Sequence, residues 1–162
     1  MASVFSNYSF LHNNLDLSRI NLGVYGSTFY DDVNSDYNSI NYKDIYEIYY
    51  TYGGVYYTSI FAGPSLEVNS GVITGGTVTG YLEAFWDGSA YQYTWGLQNI
   101  SVDGAALIEA GKTLETDDDY LIFNAALSDA DVFNLSAAND FAYGLAGDDT
   151  LNGNSGNEMA IV

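Results

Sequence analysis

Acidic side chains recur at a fixed interval near the end of the sequence. Four of them are spaced nine residues apart: Asp131, Asp140, Asp149 and Glu158. The residue two positions after each acid is apolar or small: Phe133, Ala142, Leu151 and Ala160. Carboxylate and carbonyl oxygens are the ligands that calcium prefers, since it accepts six to eight oxygens in flexible geometry. The spacing therefore predicts stacked turns that share a divalent cation, each followed by a short strand with an inward-pointing side chain.

Glycines in the last two repeats support this interpretation. They lie five and two residues before the acid, at Gly144, Gly147, Gly153 and Gly156. A Gly-rich turn exposes backbone carbonyl oxygens, which add to the carboxylate ligands. The first two repeats lack these glycines, so we expect one or two calcium ions rather than a long array. An ordinary Gly- and Asp-rich loop is the alternative.

The pattern resembles the RTX (repeats-in-toxin) nonapeptide family, GGxGxDxUx. The matching residues lie within 127–162: Gly144, Gly147, Asp149, Leu151, Gly153, Gly156 and Glu158. The resemblance implies a short parallel β-roll with calcium between alternate repeats. Asp131 would then stack with Asp149, and Asp140 with Glu158.

Both chain ends suggest export. The first residues lack the basic and apolar regions of a cleavable leader, and Glu158 is followed by four apolar residues. Such an ending resembles the uncleaved signal of type I secretion substrates, which accompany RTX repeats. We therefore expect a secreted protein, extracellular or at the cell surface, that folds on binding calcium outside the cell.

Charge and composition exclude several classes of function. Three basic residues face 21 acidic ones, giving a net charge of −18. Nucleic acid is excluded as a partner because little could neutralise its phosphates. No apolar stretch is long enough for a membrane span. The absence of cysteine excludes disulfides and thiolate metal sites.

No catalytic constellation stands out, so we expect a protein that is not an enzyme. His12 is the only histidine and is expected at the surface. Glu47, Glu67 and Glu83 lie on predicted strands, but no motif pairs them as in glycosidases, so exposed strand positions are expected.

A second oxygen-rich loop contains Asp32, Asn34 and Asp36 in the spacing D-x-N-x-D. It lacks the glycine and the closing glutamate of an EF-hand. A solvated turn is favoured there, with a second calcium site as the alternative. For Asp117–Asp119 we favour a helix start or a solvated loop.

Two hairpins are expected to form the framework. Gly53-Gly54 divides residues 44–61 and would pair Tyr52 with Val55. Asp87-Gly88 divides residues 77–97 and would place one set of residues on a single face: Val78, Leu82, Ala84, Trp86, Tyr91, Tyr93, Trp95 and Leu97. A short helix is predicted near 102–110, whereas 117–127 fits helix or strand.

The predicted fold is all-β: an antiparallel sheet or sandwich with one short helix, ending in a parallel calcium-binding β-roll. The predicted domains are 1–126, rich in aromatic strands, and 127–162, the roll and secretion signal. The favoured function is a calcium-binding structural or adhesive protein that self-associates into a homo-oligomer or polymer of a matrix, surface layer or filament. The alternative is a secreted ligand-binding module for carbohydrate or haem, with His12 and a tyrosine as conceivable haem ligands; an enzyme ranks third.

Overall fold

The structure is a computed structural model, and it describes residues 1–37, 39–157 and 159–161. The strands, numbered along the chain, are β1 (Ser3–Ser6), β2 (Val24–Tyr30), β3 (Ser35–Tyr37), β4 (Ile40–Tyr42), β5 (Asp44–Tyr52), β6 (Val55–Gly63), β7 (Ser65–Asn69), β8 (Val72–Trp86), β9 (Tyr91–Asp103), β10 (Val132–Asn134), β11 (Phe141–Tyr143), β12 (Thr150–Asn152) and β13 (Met159–Ile161). The helices are α1 (Gly104–Ala110) and α2 (Asp117–Ala126), and short 3-10 helices span His12–Asn14 and Leu17–Ile20.

One sheet dominates the described part of the chain. Its strands follow the order β12-β10-β1-β9-β8-β6-β5-β2, and β7 pairs with β8. Most neighbours are antiparallel, but β1 pairs with β10 and β10 with β12 in parallel. The predicted all-β class with a parallel C-terminal roll is therefore confirmed.

The first predicted hairpin forms in the expected register. β5 pairs with β6 so that Tyr52 faces Val55 and Tyr50 faces Tyr57. Gly53 and Gly54 both have positive φ, at 57° and 82°, as a two-residue type I′ turn requires. Alternate residues of β5 are buried, which follows from one face packing on the core.

The second hairpin differs from the prediction in its face assignment. A bulge between Glu83 and Ala84 shifts the register, so that Glu83 pairs with Trp95 and Ala84 with Tyr93. Because a bulge reverses the alternation of one strand only, the predicted single face is divided between both sides of the sheet. Glu83 is 8% exposed, so its expected exposed position is wrong.

Helices and the Leu17–Ile20 turn cover one face of the sheet. α1 packs on β8, and α2 contacts α1 and β9. The predicted helix near 102–110 is present as α1, capped by Asp103, whose side chain accepts from the Ala106 N–H at 2.9 Å. The segment at 117–127, open between helix and strand, is the helix α2. No helix in the described part of the chain is both long and apolar enough to span a membrane.

The core joins residues from the whole chain. Its fully buried members include Val4, Phe61, Leu97, Leu127 and Phe133. The predicted boundary at 126/127 coincides with the end of α2, yet β10 and β12 extend the sheet of the preceding part. The division into two domains stays a prediction.

Candidate metal centre

The four repeats coil as two stacked pairs of strands. β10 pairs with β12 in parallel, with Val132 opposite Thr150, and β11 pairs with β13, with Phe141 opposite Met159. Each pair joins residues 18 positions apart, so one full coil contains two nine-residue repeats. Asp131 and Asp149 consequently lie on one side of the coil, and Asp140 lies on the other.

Asp131 and Asp149 link two turns that are stacked closely. The Asp149 Oδ1 accepts the Asp131 N–H at 2.8 Å, and the Thr150 N–H donates to the Asp131 carbonyl at 2.8 Å. Gly147, with φ of 123°, lies so close to the other turn that an added Cβ would be 2.5 Å from the Asp129 carbonyl carbon. Only glycine fits this approach, which explains its place in the motif.

The Asp131 carboxylate is buried, and the described residues supply a hydrogen-bond donor to only one of its two oxygens. It is 1% exposed; its Oδ1 accepts the Ala2 N–H, and its Oδ2 has no hydrogen-bond partner among the described residues. Burial raises the pKa of Asp131; the Ala2 N–H and the N-terminal amino group oppose this, and the charges of Asp149 and Asp129 add to it. A buried carboxylate oxygen without a donor is costly, so this site fits a cation.

Both carboxylate oxygens of Asp140 accept hydrogen bonds, in contrast to those of Asp131. Its Oδ1 accepts the Phe10 N–H, and its Oδ2 accepts the Ser136 hydroxyl at 2.9 Å. On the same side, the Asn139 Oδ1 accepts the Asn157 N–H at 3.0 Å. Protein donors thus occupy both oxygens of this predicted ligand. Glu158, its predicted stacking partner, lies outside the described residues.

A family model for the RTX calcium-binding nonapeptide repeat, in four copies, matches residues 126–157. This segment is an RTX calcium-binding repeat. No curated protein and no solved structure matches the chain. The matched range contains Asp131, Asp140 and Asp149 and ends one residue before Glu158.

RTX repeats bind calcium, and the side of the roll with Asp131 and Asp149 fits the ion best. Asp131 would offer its unpartnered Oδ2, and Asp149 its second carboxylate oxygen. When bound, calcium would neutralise these charges and join the two turns. Gly144, Gly147, Gly153 and Gly156 lie in the turns, where they remain predicted contributors of backbone carbonyls.

The N-terminus supplies an additional coil that sequence analysis missed. β1 pairs in parallel with β10, with Val4 opposite Phe133, and Leu11 forms a parallel bridge with Phe141. The N–H groups that bind Asp131 and Asp140 belong to Ala2 and Phe10, eight residues apart and close to the repeat period. This coil has no glycine or acid, so it lacks the residues that mark an RTX turn. The alternation of the apolar residues Ala2 and Val4, which indicates a strand, was the available signal.

The loop predicted as an alternative calcium site is arranged differently. Asp32 gathers with Asp31 and Asp44, each offering an oxygen within 4.8 Å of the others. The Lys43 ammonium lies 2.7 Å from Asp32, and Asp44 accepts the backbone N–H groups of Asp32 and Leu66. These donors compensate part of the negative charge of the cluster.

Asn34 and Asp36 are directed elsewhere. The Asn34 amide donates to the Asp32 carbonyl at 2.9 Å, and the Asp36 carboxylate accepts from the Asn41 amide at 2.9 Å. The D-x-N-x-D spacing therefore does not bring its three members to one point. Instead it shapes a turn in which Asp32 and Asn34 have positive φ.

His12 is 1% exposed, so its expected surface position is wrong. Its Nδ1 accepts the Tyr143 N–H at 3.3 Å, and its ring contacts those of Phe10 and Tyr143. Burial lowers the pKa of His12, an effect that the Asn124 side chain opposes. The neutral imidazole thus helps to attach the N-terminal coil to β11.

Proposed function

We propose that this protein is a secreted structural or adhesive subunit whose fold is completed by calcium outside the cell. The observation that carries the proposal is the position of β1, between β10 of the RTX repeats and β9 of the aromatic sheet. When the roll becomes ordered, β10 pairs with β1, and β1 in turn pairs with β9 of the aromatic sheet. Because the carboxylates of the stacked turns repel one another until a cation binds, the binding free energy contributes to folding of the whole chain.

Type I export suits this arrangement. At low cytosolic calcium, the net charge of −18 disfavours compact states, because the acidic groups repel one another. Outside the cell, calcium near the millimolar range could fill sites with dissociation constants of roughly 10⁻⁴–10⁻³ M. The chain would thus stay unfolded during transport and become ordered on arrival.

Self-association is supported by the edge strand β2. It has seven residues and carries neither a charged side chain nor a proline, two of the features by which edges avoid pairing, and a bulge interrupts it between Val24 and Gly26. Val24, Tyr25 and Tyr30 on this strand are exposed. A second copy could add its own strand to this edge, which would extend the sheet between subunits.

The calcium ligands are tested by a paired substitution. Asp131→Asn with Asp149→Asn should abolish the calcium-induced rise in melting temperature, because it removes the carboxylates from the better-fitting side. Glu67→Gln with Glu115→Gln changes the net charge equally at exposed positions outside the repeats and should keep the response. A preserved response in the first variant would refute the ligand assignment.

Assembly is tested separately by light scattering and negative-stain microscopy in calcium. Tyr30→Lys places a charge on the β2 edge and should suppress polymers without changing the melting temperature. Leu121→Lys makes the same kind of change at a site 72% exposed on α2 and should leave polymers intact. A wild-type protein that stays monomeric at high concentration in calcium would refute the assembly proposal.

The second candidate function is a secreted ligand-binding module. Haem is disfavoured because the His12 side chain is 1% exposed and its Nδ1 already accepts the Tyr143 N–H. Carbohydrate is favoured by a cavity between the N-terminal segment and the aromatic sheet, which Arg19, Glu83 and Trp95 line.

A further inference from the structure

A cavity of about 200 Å³ lies between the N-terminal segment and the aromatic sheet. We call it the Arg19 pocket; its walls include Asn14, Arg19, Tyr57, Glu83, Thr94 and Trp95. It lies apart from the RTX turns, on the face where Glu83 is buried. An unexplained buried acid beside the only arginine of the chain makes this cavity unlike an ordinary surface groove.

Among the described residues, Arg19 has a longer ion-pair distance than either lysine. Lys43 and Lys112 contact Asp32 and Glu109 directly at the surface. The Arg19 Nε is 3.8 Å from Asp16, beyond hydrogen-bond distance, and is buried without a hydrogen-bond partner in the described structure. The guanidinium lies 4.6 Å above the Tyr52 ring, which fixes its position. Its Nε donor thus has no protein acceptor among the described residues, and the side chain lines the cavity.

Glu83 supplies the complementary acceptor. Its Oε2 accepts from the Tyr50 hydroxyl at 3.2 Å, and its Oε1 from the Thr94 hydroxyl at 3.3 Å. Burial raises the pKa of Glu83, and the charge of Arg19 counteracts that rise. A narrow cavity of about 20 Å³, lined by both Arg19 and Glu83, continues from this region. Such a volume holds about one hydroxyl or water oxygen.

These groups select for the chemistry of the ligand. A guanidinium only donates hydrogen bonds, and an ionised carboxylate only accepts them. A hydroxyl does both, so it satisfies the two at once. An anion would be repelled by the charge of Glu83, whereas a cation would be repelled by the charge of Arg19. Tyr57 and Trp95 are half-buried, and the part of each ring that lines the cavity offers apolar surface for the C–H face of a sugar ring.

We propose that the Arg19 pocket binds one neutral sugar unit of a glycan, with hydroxyls between Arg19 and Glu83 and the ring against Trp95. The inference goes beyond calcium binding and assembly, because none of these pocket residues belongs to the RTX repeats. It can therefore fail while the proposed function stands, and the reverse also holds.

The two tryptophans make the test direct. Trp86 lies on the β8–β9 hairpin away from the pocket, so Trp86→Phe leaves Trp95 as the sole indole. This protein is titrated in calcium with the methyl glycosides of glucose, galactose, mannose and N-acetylglucosamine. We expect at least one to change Trp95 fluorescence saturably, with a dissociation constant of about 10⁻³ M for so small a ligand.

Arg19→Gln in the Trp86→Phe background should weaken binding at least about tenfold, as loss of a hydrogen bond to a charged group does. Lys43→Gln removes the same charge from the surface and should leave affinity unchanged. Asn14→Tyr narrows the pocket at an exposed position and should also abolish binding. It serves as the second variant if Arg19→Gln proves unfolded by circular dichroism.

The proposal is overturned if none of the glycosides changes the fluorescence. It is equally overturned if Lys43→Gln weakens binding as much as Arg19→Gln does. Tighter binding of glucuronate or glucosamine than of the neutral glycosides would assign the pocket to a charged ligand instead.

Discussion

Leu145 occupies a backbone conformation that suits glycine. Its φ is 71°, and Asn154, nine residues later, has φ of 55°. Both stand where the nonapeptide pattern has its second glycine. Because a side chain in this region costs roughly 1–2 kcal/mol and the extra freedom of glycine offsets part of it, we expect Leu145→Gly to raise the free energy of unfolding by up to about 1 kcal/mol. Thermal denaturation in saturating calcium measures the change.

The matched control for this substitution is Leu145→Ala. It removes the same side-chain atoms beyond Cβ but retains the atom that makes the conformation costly. Leu145→Ala should therefore show no gain. An equal gain in both variants would mean that the leucine side chain, and not the backbone, is unfavourable there.

The environment of Asp119 predicts that its contribution to the free energy of unfolding changes with pH in the opposite sense to that of most acidic residues. It is fully buried; its Oδ2 accepts the Leu17 N–H at 2.9 Å, and its Oδ1 has no partner among the described residues. Burial raises the pKa of Asp119 to about 6; the Leu17 N–H lowers it, and the charges of Asp118 and Asp16 raise it further. The folded state therefore holds the proton more tightly than the unfolded chain does.

The stabilising contribution of protonated Asp119 is complete below its unfolded pKa of 3.8 and is lost as pH rises through about 6. Asp119→Asn should thus raise the free energy of unfolding by about 1–3 kcal/mol at pH 7 and have little effect at pH 4. Urea denaturation at constant calcium measures both. Asp117→Asn, exposed in the same helical turn, should not show this pH dependence. A pH-independent effect of Asp119→Asn would contradict the assignment.

At the scale of elements, β1 transmits order between the RTX repeats and the aromatic sheet. Val4 on this strand is fully buried and pairs with both Leu97 and Phe133. We expect Val4→Ala to lower the free energy of unfolding by about 1–2 kcal/mol. It should shift tryptophan fluorescence and the calcium midpoint together, because both parts share the strand.

Val72→Ala is the control for the β1 prediction. It makes the same change at an exposed position of β8, so both readouts should stay near those of the unmodified protein. If Val4→Ala shifted only the fluorescence and left the calcium midpoint unchanged, the two parts would be independent, and the coupling in the proposed function would fail.

The sequence predicted correctly those elements that are determined by residues close together in the chain. The β5–β6 register follows from Gly53-Gly54 and from alternating residues on both sides of the turn. The RTX turns follow from a repeated spacing in which each acid and glycine has a stated role. In both cases the residues that determine the structure are neighbours in sequence.

Features that depend on distant contacts escaped the sequence analysis. The bulge beside Glu83 reverses the predicted faces, and nothing in the adjacent residues marks its position. Burial of His12 follows from the N-terminal coil docking on β11, across 131 residues of chain. The Arg19 pocket likewise combines residues from the N-terminal segment, β6, β8 and β9, so no single motif could indicate it.

At the scale of the whole molecule, the charge decides how ions affect stability. A net charge of −18 is a general repulsion that any salt screens, whereas the RTX turns require oxygen ligation by a particular ion. These contributions can be separated because magnesium carries the same charge as calcium but demands near-ideal octahedral geometry and loses its water reluctantly.

We therefore expect calcium, magnesium and sodium to have unequal effects on the chelator-treated protein. Sodium chloride at matched ionic strength should raise the melting temperature only modestly, by screening. Magnesium at millimolar concentration should add little to that. Calcium at the same concentration should add about 0.4–1.4 kcal/mol per site, which corresponds to a ligand at roughly 1 to 10 times a dissociation constant of about 10⁻⁴–10⁻³ M. Calorimetry of the three samples measures this order, and equal stabilisation by magnesium and calcium would show that charge neutralisation, and not ligation within the turns, orders the C-terminal coil.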